Sequence, residues 1–394
     1  PLLKILSPST HSLYVRYLAE YLASGQSCPI SIYAWPTVME LVKSLAYLMI
    51  FVTVLGRIRM GQPDEAKSAK ADSCLGHYLQ LGCLTGILAI GLHSFVDFNL
   101  HITANAFYFT LLAALLTGLR LSRRQGGCDI RFLKRITHGI IAAAFCAALF
   151  GIVYKFTGVR GKIYWVIPKD GGIFGSYINY DHYAGYMGMA SSVAIAMFFG
   201  SLSGSSFYGE KGLRYKVLWF SSREATGAIF YLFSSLVMVG ALFLSTSRGG
   251  ILSFGAATTV LFFVMLIRAR SGARSRAALA VGLVLSLITL ILVWLGPDEW
   301  LARFHSLNFV IRSIIREASV LSEIRPLMWM DTLKMIGDFP SCGVGLGCFS
   351  HLFPKYRTFS MNWGFLRYAH NDYLQLVAEM GLAGWAFIIA FWAC

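Results

Sequence analysis

Five short polar stretches interrupt a sequence that is otherwise rich in apolar residues, and they contain the side chains that could do chemistry. They are residues 93–101, 175–186, 245–250, 325–329 and 369–379. In the third stretch, Arg248 lies between two apolar runs, where a charged side chain is costly unless something compensates. We interpret Arg248 as an anion clamp, because guanidinium presents a planar fork of donors that suits phosphate. Ser247 and the following glycines would let backbone N–H groups approach the same anion. The alternative is a turn residue that snorkels to the membrane surface.

Arg325 is a candidate for a second cation at the same anion. It precedes Trp329 by four residues, a spacing that puts both side chains on one face of a helix. Under this interpretation Arg325 is a second clamp and Trp329 helps to bind substrate. The alternative is an exposed arginine packed on the indole ring.

The stretch 369–379 contains a candidate general base. His370 precedes Asn371, which is a suitable N-cap for a helix, and Asp372, Gln375 and Glu379 then share one helical face. A histidine beside such a polar stripe can take a proton near neutral pH. The alternative is an interfacial histidine that makes ordinary hydrogen bonds.

The two remaining polar stretches are less specific. Residues 175–186 contain Asn179 and His182 among tyrosines, and residues 93–101 contain two histidines and Asp97. Aromatic residues are common at membrane surfaces in any case. These stretches therefore gain weight only if the membrane topology places them on the same side as the other three.

The composition predicts an integral membrane protein. The chain has 394 residues, of which 56% are hydrophobic and 13% charged, whereas a soluble protein carries roughly 25% charged residues. The net charge of +15 does not indicate nucleic-acid binding, because the basic residues cluster in short connections between apolar runs. The eight cysteines include no C-x-x-C pair, so we expect no metal site.

The pattern of apolar runs predicts an all-α polytopic fold with about nine transmembrane helices. The predicted spans are residues 38–57, 78–97, 104–121, 137–157, 183–200, 226–246, 249–267, 277–295 and 373–394. Basic residues concentrate in the connections 120–135, 201–225 and 268–276, which the positive-inside rule assigns to the cytoplasm. Alternation then places all five polar stretches on the extracytoplasmic side.

The same pattern divides the chain into five regions. They are an extracytoplasmic N-terminal segment (1–37), a three-helix membrane unit (38–123), a five-helix membrane core (124–295), a large periplasmic helical loop (296–371) and a final transmembrane helix (372–394). The chain begins at Pro1 and stops within an apolar run. We therefore expect a fragment whose last helix is truncated and which lacks at least one earlier span.

Taken in their order along the chain, these motifs resemble the O-antigen ligase and O-antigen polymerase family, which handles polyprenyl-diphosphate-linked glycans. The similarity rests on 245–250, Arg325 with Trp329, 343–349, and His370-Asn371 followed nine residues later by 381–384. Asn179, His182 and 184–185 resemble the family's Asn-x-Asn-His-Phe-Ala-Gly element, although Asp181 replaces its second Asn. The stretch 93–101 also departs from the pattern, because family members usually carry it after the His-Asn helix. A permuted pair of helices that packs in the usual place is one explanation, and a rearranged gene is another.

The resemblance implies an enzyme of the bacterial inner (cytoplasmic) membrane that acts at the periplasmic face. It would move a glycan from undecaprenyl diphosphate to a hydroxyl of a lipid or glycan acceptor, surrounded by bilayer lipids and with no metal, nucleotide or other cofactor. Arg248, Arg325 and His370 would be catalytic, with the arginines stabilising the leaving diphosphate and His370 acting as base. Ser247, Asn179, His182, Asn371 and Trp329 would bind substrate. We expect Arg248, Arg325 and His370 to converge on one cavity.

Three other functions remain open at this point. A polymerase that joins repeat units, or a ligase for another acceptor, would use the same motifs. A secondary transporter or permease is a different class, but transporters favour ionisable residues near the membrane midplane, and here the polar stretches lie at one face. A non-catalytic fragment is the third alternative.

Overall fold

The computed structural model describes residues 7–17, 31, 33–59, 69–125, 130–157, 162–163, 167–168, 173–203, 222–268, 324–359 and 366–393. The helices are α1 (Pro8–Tyr17), α2 (Ala34–Arg59), α3 (Ala69–His93), α4 (Thr103–Gln125), α5 (Ile130–Thr157), α6 (Tyr180–Ser203), α7 (Arg223–Leu244), α8 (Arg248–Arg268), α9 (Ile324–Asp338), α10 (Phe349–Leu352), α11 (Asp372–Met380) and α12 (Leu382–Ala393). Short 3₁₀ turns cover Asn99–His101 and Phe353–Lys355. Two antiparallel two-residue strands, β1 (Lys162–Ile163) and β2 (Ile167–Pro168), are the exception to the helical fold of the described residues.

Seven helices of the described residues, α2 to α8, are long and apolar enough to cross a membrane. Each of them overlaps one of the first seven predicted spans, because a long apolar run can satisfy its backbone within a bilayer only as a helix. The protein is therefore an all-helical, multi-pass membrane protein in outline. The predicted span 277–295 lies outside the described residues.

The final predicted span, 373–394, is wrong as a single helix. It is split into α11 and the 12-residue α12 at Gly381, which has φ +59° and ψ −131°. A side chain at Gly381 would collide with the carbonyl oxygens of Pro340 and Ser341, at 2.6 and 2.5 Å from its Cβ. The helix breaks because residues 340–341 cross it closely, and only glycine fits both the conformation and the space.

The chain divides into two compact units. The first unit comprises Pro1–Tyr47, Ser94–His101 and Arg303–Cys394, and the second comprises Leu48–His93 and Ile102–Ala302. The five region boundaries predicted from the sequence stay predictions.

Helix α6 is the centre of the second unit, where it contacts α3, α4, α5, α7 and α8. Its small side chains allow close approach of neighbouring helices, as is common between membrane helices. On α3, a Cβ at Gly82 would lie 2.7 Å from the Cβ of Ala196, and one at Gly86 would lie 3.0 Å from the carbonyl oxygen of Met189. Two glycines one turn apart thus bring the backbones of α3 and α6 together.

The first unit packs α9 and the turn 343–349 against α11 around a compact apolar core. The core contains Met328, Met335, Phe339, Val344, Cys348, Phe349, Leu352, Phe353, Ala369 and Ala378. The backbone joins the turn to α11 directly, since Val344 N–H donates to the Ala378 carbonyl at 3.0 Å and Gly345 N–H to the Glu379 carbonyl at 2.9 Å. This core fixes residues 366–371, which precede α11 and contain His370.

Candidate functional site

In the second unit, Arg248 is the first residue of α8 and follows a tight turn. Ser247 caps the helix, because its Oγ accepts a hydrogen bond from Gly250 N–H at 3.1 Å. Thr246 has a positive φ of 59°, which is uncommon for a residue with a side chain. Arg248 is half-buried at a helix N-terminus, where the helix dipole adds to its positive charge.

Asp181 ties this turn to the start of α6. Its Oδ1 accepts a hydrogen bond from the Ser247 hydroxyl at 2.6 Å, and both residues are buried. The turn also touches α6 and α3 directly, because a Cβ at Gly250 would lie 2.5 Å from the Ala184 Cβ and 3.4 Å from His93 Cε1. A carboxylate oxygen and an amide oxygen can both accept a hydrogen bond from a hydroxyl group. Asp181 therefore accepts a hydrogen bond from Ser247 that the asparagine of the family motif could also accept.

Asn179 and His182 lie in the same part of the second unit. Asn179 Oδ1 accepts from Asp181 N–H at 2.9 Å, and Asn179 Nδ2 is 3.4 Å from His182 Nε2. Asn105 of α4 donates to the His182 carbonyl at 2.9 Å. The 175–186 and 245–250 stretches, which are far apart in sequence, are thus neighbours in space.

A largely apolar cavity of about 790 Å³ begins beside His182. Its wall is formed by α4, α5 and α6, with Tyr177, His182 and Tyr186 among the lining side chains. A cavity of this shape, apolar with polar groups at one part of its wall, is suited to an amphipathic ligand.

In the first unit, His370 is paired with an aspartate. His370 Nδ1 is 3.1 Å from Asp97 Oδ1; Asp97 is fully buried, and the histidine side chain is 25% exposed. His370 has a φ of +50°, and the Phe98 ring contacts its imidazole edge-on at 4.6 Å. A carboxylate on one ring nitrogen fixes the tautomer and leaves the other nitrogen able to accept a proton.

Arg325 and Trp329 bracket this pair from α9. Arg325 donates from its guanidinium to the Val96 carbonyl at 3.1 Å, and Trp329 Nε1–H donates to the Ala369 carbonyl at 3.0 Å. Val96 directly precedes Asp97 in the chain, and Ala369 directly precedes His370. Arg325 and Trp329 therefore lie against the two segments that contain Asp97 and His370, as expected for side chains on one face of α9.

The stretch 94–101 occupies a defined place beside the His-Asn motif. Asn371 caps α11 through Tyr373 and Leu374 N–H, and its Nδ2 donates to the Phe95 carbonyl at 2.9 Å. Asp372 N–H donates to the Ser94 carbonyl at 2.9 Å, and Asp372 Oδ2 accepts from Leu100 N–H at 3.0 Å. The segment therefore packs directly against the His-Asn motif, although it lies far earlier in the chain.

This packing also corrects the second predicted span. The prediction ran from 78 to 97, whereas α3 ends at His93. The apolar composition continues through Phe95 and Val96, but the carbonyls of residues 94–96 are taken by Asp372, Asn371 and Arg325. Long-range hydrogen bonds therefore end the helix and turn Asp97 towards His370.

His101 is the third ionisable group of this segment. Its Nδ1 lies 2.7 Å from Asp372 Oδ1. Burial lowers the pKa of His101, but the hydrogen bond to Asp372 and the negative charges of Asp372, Glu379 and Glu40 outweigh that effect, so the pKa is raised above its ordinary value of 6.5. The contact with Asp372 therefore favours the protonated form of the His101 imidazole.

Glu379 and Gln375, the rest of the polar stripe, organise the backbone. The buried Glu379 carboxylate accepts from Gly347 N–H at 2.8 Å, Phe349 N–H at 3.3 Å and Gln375 Nε2 at 3.1 Å. Gln375 Oε1 accepts from Ala369 N–H at 3.0 Å. These two side chains hold the turn 343–349 and the residue preceding His370.

The predicted residues thus fall into two clusters. Arg248, Ser247, Asn179 and His182 belong to the second unit, while Arg325, Trp329, His370 and Asn371 belong to the first. That Arg248 shares a cavity with Arg325 and His370 stays a prediction. Sequence reasoning did not name Asp97 as a site residue, although its position in a polar stretch on the predicted outer face was a signal for it.

One protein-family model matches part of this chain. Residues 233–389 match the family model described as O-antigen ligase. The matching region contains Arg248, Arg325, Trp329, His370 and Asn371, and excludes the 93–101 and 175–186 stretches. Neither the curated proteins nor the solved structures compared with the chain gave a match. The resemblance to O-antigen ligases is therefore confirmed for this region.

Proposed function

Starting from the O-antigen ligase-type region at residues 233–389, we propose that this multi-pass bacterial membrane protein is a lipid-linked-glycan transferase. It moves a glycan from undecaprenyl diphosphate to a hydroxyl of a lipid or glycan acceptor. The reaction takes place at the periplasmic face of the inner membrane and needs no metal. The observation that carries the proposal is the pairing of Asp97 with His370, which lies inside the matching region and has a strained backbone conformation.

His370 is the proposed general base. With Nδ1–H directed at Asp97, Nε2 takes the proton of the acceptor hydroxyl as its oxygen attacks the anomeric carbon of the glycan. The bond between that carbon and the diphosphate oxygen breaks, and both bonding electrons leave with the lipid diphosphate. Asp97 orients the ring and stabilises the imidazolium that forms.

Arg248 and Arg325 are the proposed cations for the leaving group. Negative charge develops on the bridging oxygen as the glycosidic bond breaks, and fixed guanidinium groups stabilise it without reorganisation. Ser247 supports Arg248 by capping α8, and Trp329 and Asn371 support His370 by holding Ala369 and α11. Asn179 and His182 are proposed to bind the donor beside the apolar cavity, which suits a polyprenyl chain.

The proposal is tested in cells that lack the protein. We expect undecaprenyl-diphosphate-linked glycan to accumulate on the periplasmic leaflet, where an impermeant lectin detects it. Expression of the wild-type protein should remove the accumulation, and His370→Ala should not. Accumulation confined to the cytoplasmic leaflet would instead indicate a transporter and contradict the proposal.

A further inference from the structure

A second, polar cavity lies in the first unit and has no role in the mechanism above. It has a volume of about 300 Å³, at the lower end of the range of small-molecule sites, roughly 300–1,000 Å³. Glu40, His101, Arg367, Tyr368 and Glu379 are among the residues that line it. A polar cavity is unusual in a chain that is 56% hydrophobic, and its polar groups need a polar occupant.

The charges around the cavity argue for a neutral ligand. Glu40 and Glu379 contribute carboxyl groups, Arg367 contributes a guanidinium group and His101 contributes an imidazole. A strongly charged ligand would meet a like charge on at least one wall, which costs free energy at short range. A ligand with many hydroxyl groups can donate to the carboxylates and accept from the cations at the same time.

Two aromatic rings give the cavity flat walls. Tyr368 stacks on Phe98 with ring centres 4.3 Å apart, and His351 packs edge-on against Tyr33 at 4.9 Å. Each ring is therefore held by a neighbour. Flat apolar faces with polar groups around them suit a pyranose ring, which has C–H groups on its faces and hydroxyls on its rim.

The polar wall is also held in place. Glu379 is fixed by the N–H groups of Gly347 and Phe349, and His101 is fixed through Nδ1 by Asp372. Preorganised side chains cost little ordering entropy when a ligand binds. The wall of the cavity therefore has the preorganisation that favours ligand binding.

The cavity is adjacent to the proposed base. The Phe98 ring contacts both the Tyr368 ring, at 4.3 Å, and the His370 ring, at 4.6 Å. We propose that this cavity is a sugar-binding subsite that takes one neutral pyranose residue of the acceptor glycan next to His370. The proposal rests on glycosyl transfer as the proposed function and names Glu40, Arg367 and Tyr368 as specificity-determining residues.

The test is direct sugar binding to the purified protein by saturation-transfer NMR. The protein is placed in lipid nanodiscs or a non-glycosidic detergent, because a glucoside or maltoside detergent would compete. The probes are methyl α-D-glucopyranoside, methyl α-D-galactopyranoside and N-acetyl-D-glucosamine, with inorganic phosphate as a charged counter-probe. We expect at least one sugar to bind in the millimolar range, and phosphate not to displace it, because the proposed phosphate contacts at Arg248 and Arg325 do not line this cavity.

Two pairs of variants make the test specific. Arg367→Ala should weaken sugar binding about tenfold, whereas Arg357→Ala, the same change at another exposed arginine outside the cavity, should not. Glu40→Gln should weaken binding as well. Lys43→Gln breaks the Glu40–Lys43 ion pair but keeps the carboxylate, so binding should persist.

The outcomes separate this inference from the proposed function. A wild-type protein that transfers lipid-linked glycan but binds none of the three sugars would overturn the subsite. Equal loss of binding in Arg367→Ala and Arg357→Ala, or displacement of the sugar by phosphate, would do the same. Sugar binding that depends on Glu40 and Arg367, in a protein that transfers no lipid-linked glycan, would support the sugar site and overturn the proposed function.

Discussion

Among the residues that the structure describes, Thr246 and His370 are the two non-glycine residues with left-handed backbone conformations. Each such residue costs on the order of 1–3 kcal/mol and persists only where its surroundings enforce it. Thr246 precedes the Ser247 cap and Arg248, and His370 is the proposed base. The strain therefore coincides with the two stretches to which the motifs assign chemistry, which supports a functional rather than a packing role for both turns.

The His101–Asp372 pair makes the stability of the first unit depend on pH. The pKa of His101 is raised in the folded protein. The folded protein therefore binds this proton more tightly than the unfolded chain does. The stabilisation is fully present below the unfolded pKa, about 6.5, and is lost as pH rises through the folded pKa. His101→Gln should lower the melting temperature by a few degrees in acidic buffer, and this difference should shrink in alkaline buffer.

The measurement is thermal unfolding of the purified protein over a pH series. His11→Gln, the same change on α1, serves as the control and should show no comparable pH-dependent difference. A His101→Gln effect that is constant across the series would show that the ion pair does not contribute as described.

At the scale of elements, the turn 343–349 depends on glycine. Gly343 has a φ of +64°, and a Cβ there would lie 2.3–2.5 Å from backbone atoms of Glu379 and Met380. Gly343→Ala should therefore destabilise the protein by more than about 1–3 kcal/mol. Gly337→Ala in α9, where no atom lies within 4 Å of the new Cβ, should instead stabilise it by about 0.5–1 kcal/mol.

Thermal unfolding of both variants beside the wild type checks this pair. If Gly343→Ala melts at the wild-type temperature, the turn is not packed against α11 as described.

The sequence predicted the elements that depend on local composition. The seven helices α2 to α8 follow from apolar runs of spanning length, and Asn371 was identified as the cap of α11 from its residue type alone. The ends of α3 and α11 were missed. The end of α3 depends on hydrogen bonds from residues 325, 371 and 372, and the end of α11 depends on the close approach of residues 340–341. These residues are distant in sequence, so no local pattern contains the information.

At the scale of the whole molecule, the sequence supplied the candidate stretches but predicted only part of how they meet. Arg248, Arg325 and His370 were chosen from residue type and position. Asp97 was not, because its partner His370 is 273 residues away in sequence and the segment 93–101 precedes the family motif instead of following it. Its proposed role rests on the hydrogen bonds that join residues 94–101 to residues 370–372.

The predicted topology places the loop 296–371, which contains His370, and the turn containing Arg248 outside the cytoplasm. In a variant without the eight native cysteines, Arg357→Cys on the exposed part of this loop should react with an impermeant thiol reagent in intact spheroplasts. Arg120→Cys, in the predicted cytoplasmic connection 120–135, should react only after permeabilisation. The reverse pattern would invert the topology and remove the periplasmic assignment of the reaction.

The central claim is that His370 is a base oriented by Asp97, with Arg248 binding the diphosphate. The most direct measurement is the single-turnover rate of glycan transfer by purified protein from undecaprenyl-diphosphate glycan, together with donor affinity. We expect His370→Ala to lower the rate about 10²–10⁴-fold with near-normal donor binding, and Asp97→Asn to lower it less. Arg248→Ala should weaken donor binding as well as the rate, and Arg248→Lys should restore only part of both, because ammonium lacks the bidentate fork. A His370→Ala variant that transfers glycan at nearly the wild-type rate would contradict the account.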